Sequence, residues 1–62
     1  MTPGEALDIL GLEQAESPQQ VIKRHKAMMQ KVHPDRGGSD FLAAQINQAK
    51  EVLLAHLKTQ GR

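Results

Sequence analysis

Apolar residues recur along most of this chain at three- and four-residue intervals, and no stretch alternates in the manner of a strand, so the pattern predicts helices alone. Thr2-Pro3 followed by Glu5 carries the signature of a capping box with proline in the first turn, and Gly11 offers a left-handed stop. Together they set a first helix over about 3–10. Ser17-Pro18 with Gln20 repeats the arrangement and opens a second helix over about 18–32. Its Val21, Ile22, Met28, Met29 and Val32 define one apolar face that also takes in His25, while Lys23, Lys26 and Gln30 fall on another. Pro34 disfavours helical geometry at His33, so this helix ends near Val32. Gly37 and Gly38 permit backbone turns that a side chain would resist, and Ser39 is the expected cap of a third helix. Asp40 stands where the helix dipole favours an acid. Leu42, Ile46, Ala49, Leu53 and Leu57 form a regular stripe, widened by Val52 and Leu54, over about 40–58, with Gly61 and Arg62 frayed.

Helices two and three, on the order of 20 to 27 Å long at 1.5 Å per residue, suit an antiparallel hairpin closed by a loop of about seven residues. The short first helix covers the open side of the pair. The expected fold is all-α, with residues 1–62 as a single domain. Aromatics are only 2% of the 62 residues, so the expected core is aliphatic, built around the one phenylalanine, Phe41, with Met28-Met29 as filler. A chain of this size buries a modest share of its surface and offers no deep substrate pocket. There is no cysteine, which excludes disulfide staples and thiol-bound zinc. The longest apolar run, Val52 to Ala55, is far too short to cross a bilayer, and no signal segment opens the chain. No membrane contact is expected of this segment; an apolar stretch of about twenty residues upstream of Met1 in a longer parent would be a tether.

Charge changes the picture. The net value is only +1, yet Glu5, Asp8, Glu13 and Glu16 precede residue 17, whereas Lys23, Arg24, Lys26, Lys31 and Arg36 crowd the middle with Asp35 as the sole acid among them. Such a run is either a solvated face or a docking surface for an acidic partner. It leads into His33-Pro34-Asp35, where an imidazole and a carboxylate flank a rigid proline at a loop tip, although neither is needed to form the turn. Prior ordering of that kind lowers the entropy lost on binding. Catalysis is not expected: there is no cysteine nucleophile, and the serines stand at helix starts where capping accounts for them. His25, His33 and His56 lack the spacing that puts two metal ligands on one helix face, so no metal and no cofactor is expected. Nucleic acid is the weaker partner class, because charge is nearly balanced, stacking aromatics are missing and the inter-helix loop exceeds a helix-turn-helix turn.

Ile9-Leu10-Gly11-Leu12 at the end of the first helix, the basic second helix, His33-Pro34-Asp35, and Ile46, Ala49 and Glu51-Val52-Leu53 on the third together resemble the J domain of DnaJ-type co-chaperones over nearly the whole chain. Within that family the stretch from His33 to Leu54 is most similar to the J domain of the mitochondrial presequence-translocase motor and its bacterial relatives. The resemblance implies a non-enzymatic partner of a DnaK-type (heat-shock protein 70) chaperone that binds its ATP state and stimulates hydrolysis. It also implies roles in protein folding or translocation. Carried over residue by residue, His33, Pro34 and Asp35 are the trigger, His25, Lys26 and Arg36 are matching contacts, and Lys23 and Arg24 supply charge beside them. The bacterial cytoplasm or the matrix side of the mitochondrial inner membrane is the implied location. The chain departs from the family in having Ala6 and Leu7 in place of a first-helix tyrosine, and Ile22 and Ala27 where basic residues are common. The fourth helix of larger J domains has no counterpart after Leu57. A structural J-like module that pairs with another J-like chain through its third helix is the alternative.

Overall fold

The structure is a computed structural model that describes residues 1–32 and 40–60, without the side chain of Gln60. The described residues form three helices, α1 (Pro3–Leu10), α2 (Pro18–Lys31) and α3 (Asp40–Gln60), and no strand. Bounds expected from the pattern hold to within two residues; Ser39, Gly61 and Arg62 lie outside the described residues.

Local chemistry sets the ends of α1. Thr2 Oγ1 accepts from the Glu5 N–H at 3.2 Å and Glu5 Oε1 accepts from the Thr2 N–H at 2.9 Å, a complete reciprocal box. The bond from the Thr2 backbone N–H, with the Thr2 side chain second, holds the Glu5 carboxyl below its ordinary range. At the other end Gly11 has φ +72°, and its N–H donates to Asp8 O while the Leu12 N–H reaches back to Leu7 O, a Schellman closure that only glycine enters without strain. The second box is split. Ser17 Oγ caps the Gln20 N–H at 3.1 Å, but Gln20 Oε1 accepts from the N–H of Glu16 at 2.7 Å instead of from Ser17. Its amide thereby ties down the residue preceding the cap.

Ala6 and Leu10 from α1, Val21 from α2, and Ile46, Ala49 and Leu53 from α3 make the buried core. Leu7, Ile9, Leu12, Met28, Met29, Val32, Val52, Leu54 and Leu57 pack around it. α3 touches both other helices extensively, whereas α1 and α2 meet each other little. The longest helix is thus the platform on which the other two lie. Three expectations about the core are corrected. Phe41 is 68% exposed and anchors nothing: five residues before Ile46, it sits about 140° around α3 from the buried stripe. Leu42 does lie on the stripe, yet at the first turn it remains 51% exposed. Ile22 is 44% exposed, because it stands about 100° around α2 from Val21, outside the strip that meets α3.

Candidate functional site

The tripeptide His33-Pro34-Asp35 and its neighbour Arg36 lie outside the described residues, so the structure gives the frame that leads into them. α2 closes at Lys31, and Val32, with extended backbone (φ −100°, ψ 111°), donates its N–H to Met28 O and Met29 O at 3.2 Å each. The chain re-enters the described structure at Asp40, the first residue of α3.

The four basic or imidazole residues expected on the docking face divide into two pairs. Lys23 and Lys26 are exposed on the outer side of α2, and Lys31 is exposed near its end. No acid occurs anywhere in α2, and among the described residues none of these lysines has a carboxylate partner; the ion pair found there joins Lys50 to Glu51 on α3 at 3.5 Å. Among the described residues their charge is therefore uncompensated. Arg24 and His25 turn inward. Arg24 Nε donates to the carbonyl of Leu10, the last residue of α1, at 2.5 Å, across fourteen positions of sequence. A cation at that point satisfies a carbonyl that the helix leaves open and faces the negative end of its dipole. The guanidinium also lies against Gly11, where an added Cβ would stand 2.8 Å from Nη2. His25 is half-buried, with Nε2 2.7 Å from Asn47 Oδ1, so its ring links α2 to the middle of the hairpin's other arm.

The outer face has relief as well as charge. Ile22 projects at one side of the lysines, and on the other Leu12, Gln20, Lys23, Arg24 and Ala27 line a solvent-open hollow of about 230 Å³. Among the described residues no cluster of three or more His, Asp or Glu could hold a metal, and no helix is long and apolar enough to cross a membrane.

No family model and no solved structure matches the chain. Curated proteins do. The mitochondrial import inner membrane translocase subunit TIM14 of Dictyostelium discoideum is 51% identical over 53 residues, which cover 86% of this chain and 47% of that protein. TIM14-1 of Arabidopsis thaliana is 44% identical over 61 residues, 98% of this chain and 54% of its own length, and TIM14 of Gibberella zeae is 50% identical over 54 residues, 86% and 51% respectively. Over most of its length the chain is thus similar to TIM14 proteins. It spans about half the length of the curated relatives it matches. The three described helices, without a strand among them, are compatible with a J-domain-like helical fold.

In this chain, sequence reasoning placed Lys23 and Lys26 on the surface the structure gives them. It missed the engagement of Arg24 with α1, which no periodicity signals because the acceptor is a backbone carbonyl in another helix. One clue was available. Arg24 lies about 60° around α2 from Val21, near enough to the packed strip for a long side chain to reach inward.

Proposed function

We propose that this chain is a co-chaperone J domain that binds a DnaK-type chaperone in its ATP state through His33-Pro34-Asp35 and the outer face of α2, and stimulates its ATP hydrolysis. The observation that carries the proposal is the conjunction of that tripeptide with a helix whose exposed lysines have no acid on their own element and no carboxylate partner among the described residues. Uncompensated exposed cations steer an acidic surface toward the helix, and encounter by steering is fast and salt-sensitive. Arg36 adds charge beside the tripeptide, and His25, tied to Asn47, fixes the approach of the two helices that hold the loop. The chain itself makes and breaks no covalent bond; the hydrolysis belongs to the chaperone. The names of its relatives support a place in import at the mitochondrial inner membrane.

Chaperone ATP turnover tests this directly. Wild-type chain is expected to accelerate single-turnover hydrolysis, and Asp35→Asn or His33→Gln is expected to reduce that stimulation by about tenfold or more, as loss of one partner in a desolvated charged contact does. Undiminished stimulation by folded Asp35→Asn refutes the trigger.

A further inference from the structure

We propose that Ile22 is the apolar anchor of the α2 docking surface, and that the partner presents there an apolar recess bordered by carboxylates. This deepens the chaperone-docking reading and rests on it.

Among the described residues four large hydrophobic side chains are exposed, Met1, Ile22, Phe41 and Leu42. Ile22 alone among them stands inside the basic helix. It lies one turn before Lys26, about 40° away around the helix, and adjoins Lys23 in sequence. A solvated position in mid-helix gains nothing from isoleucine, whose β-branch lowers helix propensity and whose apolar surface remains in water. An isolated exposed aliphatic residue is common on protein surfaces. This one is flanked by cations that have no carboxylate partner among the described residues, on a face that carries a hollow beside Ala27, and with Arg24 withdrawn to α1. The withdrawal matters: with only Lys23 and Lys26 left to attract a partner along this part of the face, exposed charge pairs contribute little by themselves. Affinity then depends on a residue that is desolvated on contact, and an apolar side chain ringed by polar neighbours is the usual form of such a centre. Charge complementarity selects an acidic protein surface. A membrane is the poorer occupant, since one isoleucine and a few lysines fall short of the apolar face that an interfacial helix inserts.

The test measures the concentration of chain that half-saturates single-turnover ATP hydrolysis, at low and at high salt, with bacterial DnaK and a mitochondrial DnaK-type chaperone in separate arms. Ile22→Ala is expected to raise that concentration by about tenfold at both salt levels while leaving the maximal stimulation intact, because area burial is insensitive to ionic strength. Lys26→Ala is expected to act mainly at low salt. Ile22 is exposed, so the variant keeps its fold, and thermal unfolding verifies this. Half-saturation unchanged by Ile22→Ala, or improved by Ile22→Lys, overturns the anchor while Asp35→Asn still abolishes stimulation and preserves the docking reading. If Asp35→Asn stimulates like the parent, or neither chaperone responds to the parent, both fall together. Ile22-dependent binding to phosphatidylserine vesicles, with the chaperone assay indifferent to Ile22, also overturns the proposal in favour of a lipid surface.

Discussion

Replacing Arg24 by alanine removes the bond from Nε to Leu10 O and the cation at the C-terminal end of α1, while leaving Lys23, Lys26 and Lys31 in place. A hydrogen bond from a charged donor contributes about 1.5–3 kcal/mol when dry, but Arg24 is only half-buried and water reaches the freed carbonyl, so the low end applies. The interaction with the helix dipole adds about 0.3–1 kcal/mol, part of it the same contact, which gives a total near 1.5–2 kcal/mol. A chain of this length holds roughly 3–9 kcal/mol altogether. The expected fall in Tm is therefore about 5–15 °C. Gly11→Ala probes the same joint from the other side: it forces a side chain into φ +72°, at about 1–2 kcal/mol, and places its Cβ 2.8 Å from Nη2, so the end of the guanidinium must shift and its hold on Leu10 O is disturbed. In an Arg24→Ala background only the backbone strain remains. The double variant should consequently be more stable than the sum of the two single losses predicts, by about 1 kcal/mol. Urea unfolding followed by helical circular dichroism reads all four proteins. Additive costs, or an Arg24→Ala chain as stable as the parent, refute the joint. A second readout separates structure from docking: well below its Tm, Arg24→Ala should keep the salt dependence of chaperone association that Lys26→Ala loses. If both variants lose it equally, the guanidinium acts on the docking face.

Two further outcomes follow from the core and the first cap. Leu53 is fully buried between the other two helices, so Leu53→Ala should cost about 2–5 kcal/mol, enough to leave a large fraction unfolded at 37 °C; a cooperative transition within a few degrees of the parent's would contradict the packing. Glu5 has its carboxyl held low by the Thr2 bonds, so its contribution is fully present above the ordinary carboxylate range and is lost as pH falls through the lowered native value. Acid titration of stability should lose that component in Glu5→Gln, and identical profiles for the two chains would show that the box does not couple to protonation.

How far the sequence carries depends on the range of the interaction. Thr2, Glu5 and Gly11 were legible because a cap is made between residues no more than five positions apart, and the structure closes every bond their pattern implies. Ile46, Ala49 and Leu53 were legible because a stripe in mid-helix has a partner on whichever side it faces. Phe41, Leu42 and Ile22 were misjudged for the complementary reason. Hydrophobicity says that burial is favourable but not that a neighbour is present; α3 runs 21 residues against the 14 of α2, and a first-turn leucine is left half in water. Gln20 shows the same limit at one residue's distance, its amide taking the Glu16 N–H instead of the adjacent Ser17 N–H.

The two inward-turned residues bear on function more than their number suggests. A trigger at a loop between helices works only if the helices hold the loop's two roots at a fixed separation. His25 links α2 to α3 at Asn47, and Arg24 links α2 to the end of α1, which itself lies on α3. Each of the three helices is thus tied to the other two, twice through polar side chains of α2 and once through the apolar face of α3. This gives α2 two distinct sides: an inner one, where Val21, Arg24 and His25 set its position, and an outer one, where Ile22, Lys23 and Lys26 remain available. A domain with so small a core gains rigidity by committing one of its cations to structure. The reduced charge left outside makes an apolar contact at Ile22 the natural complement.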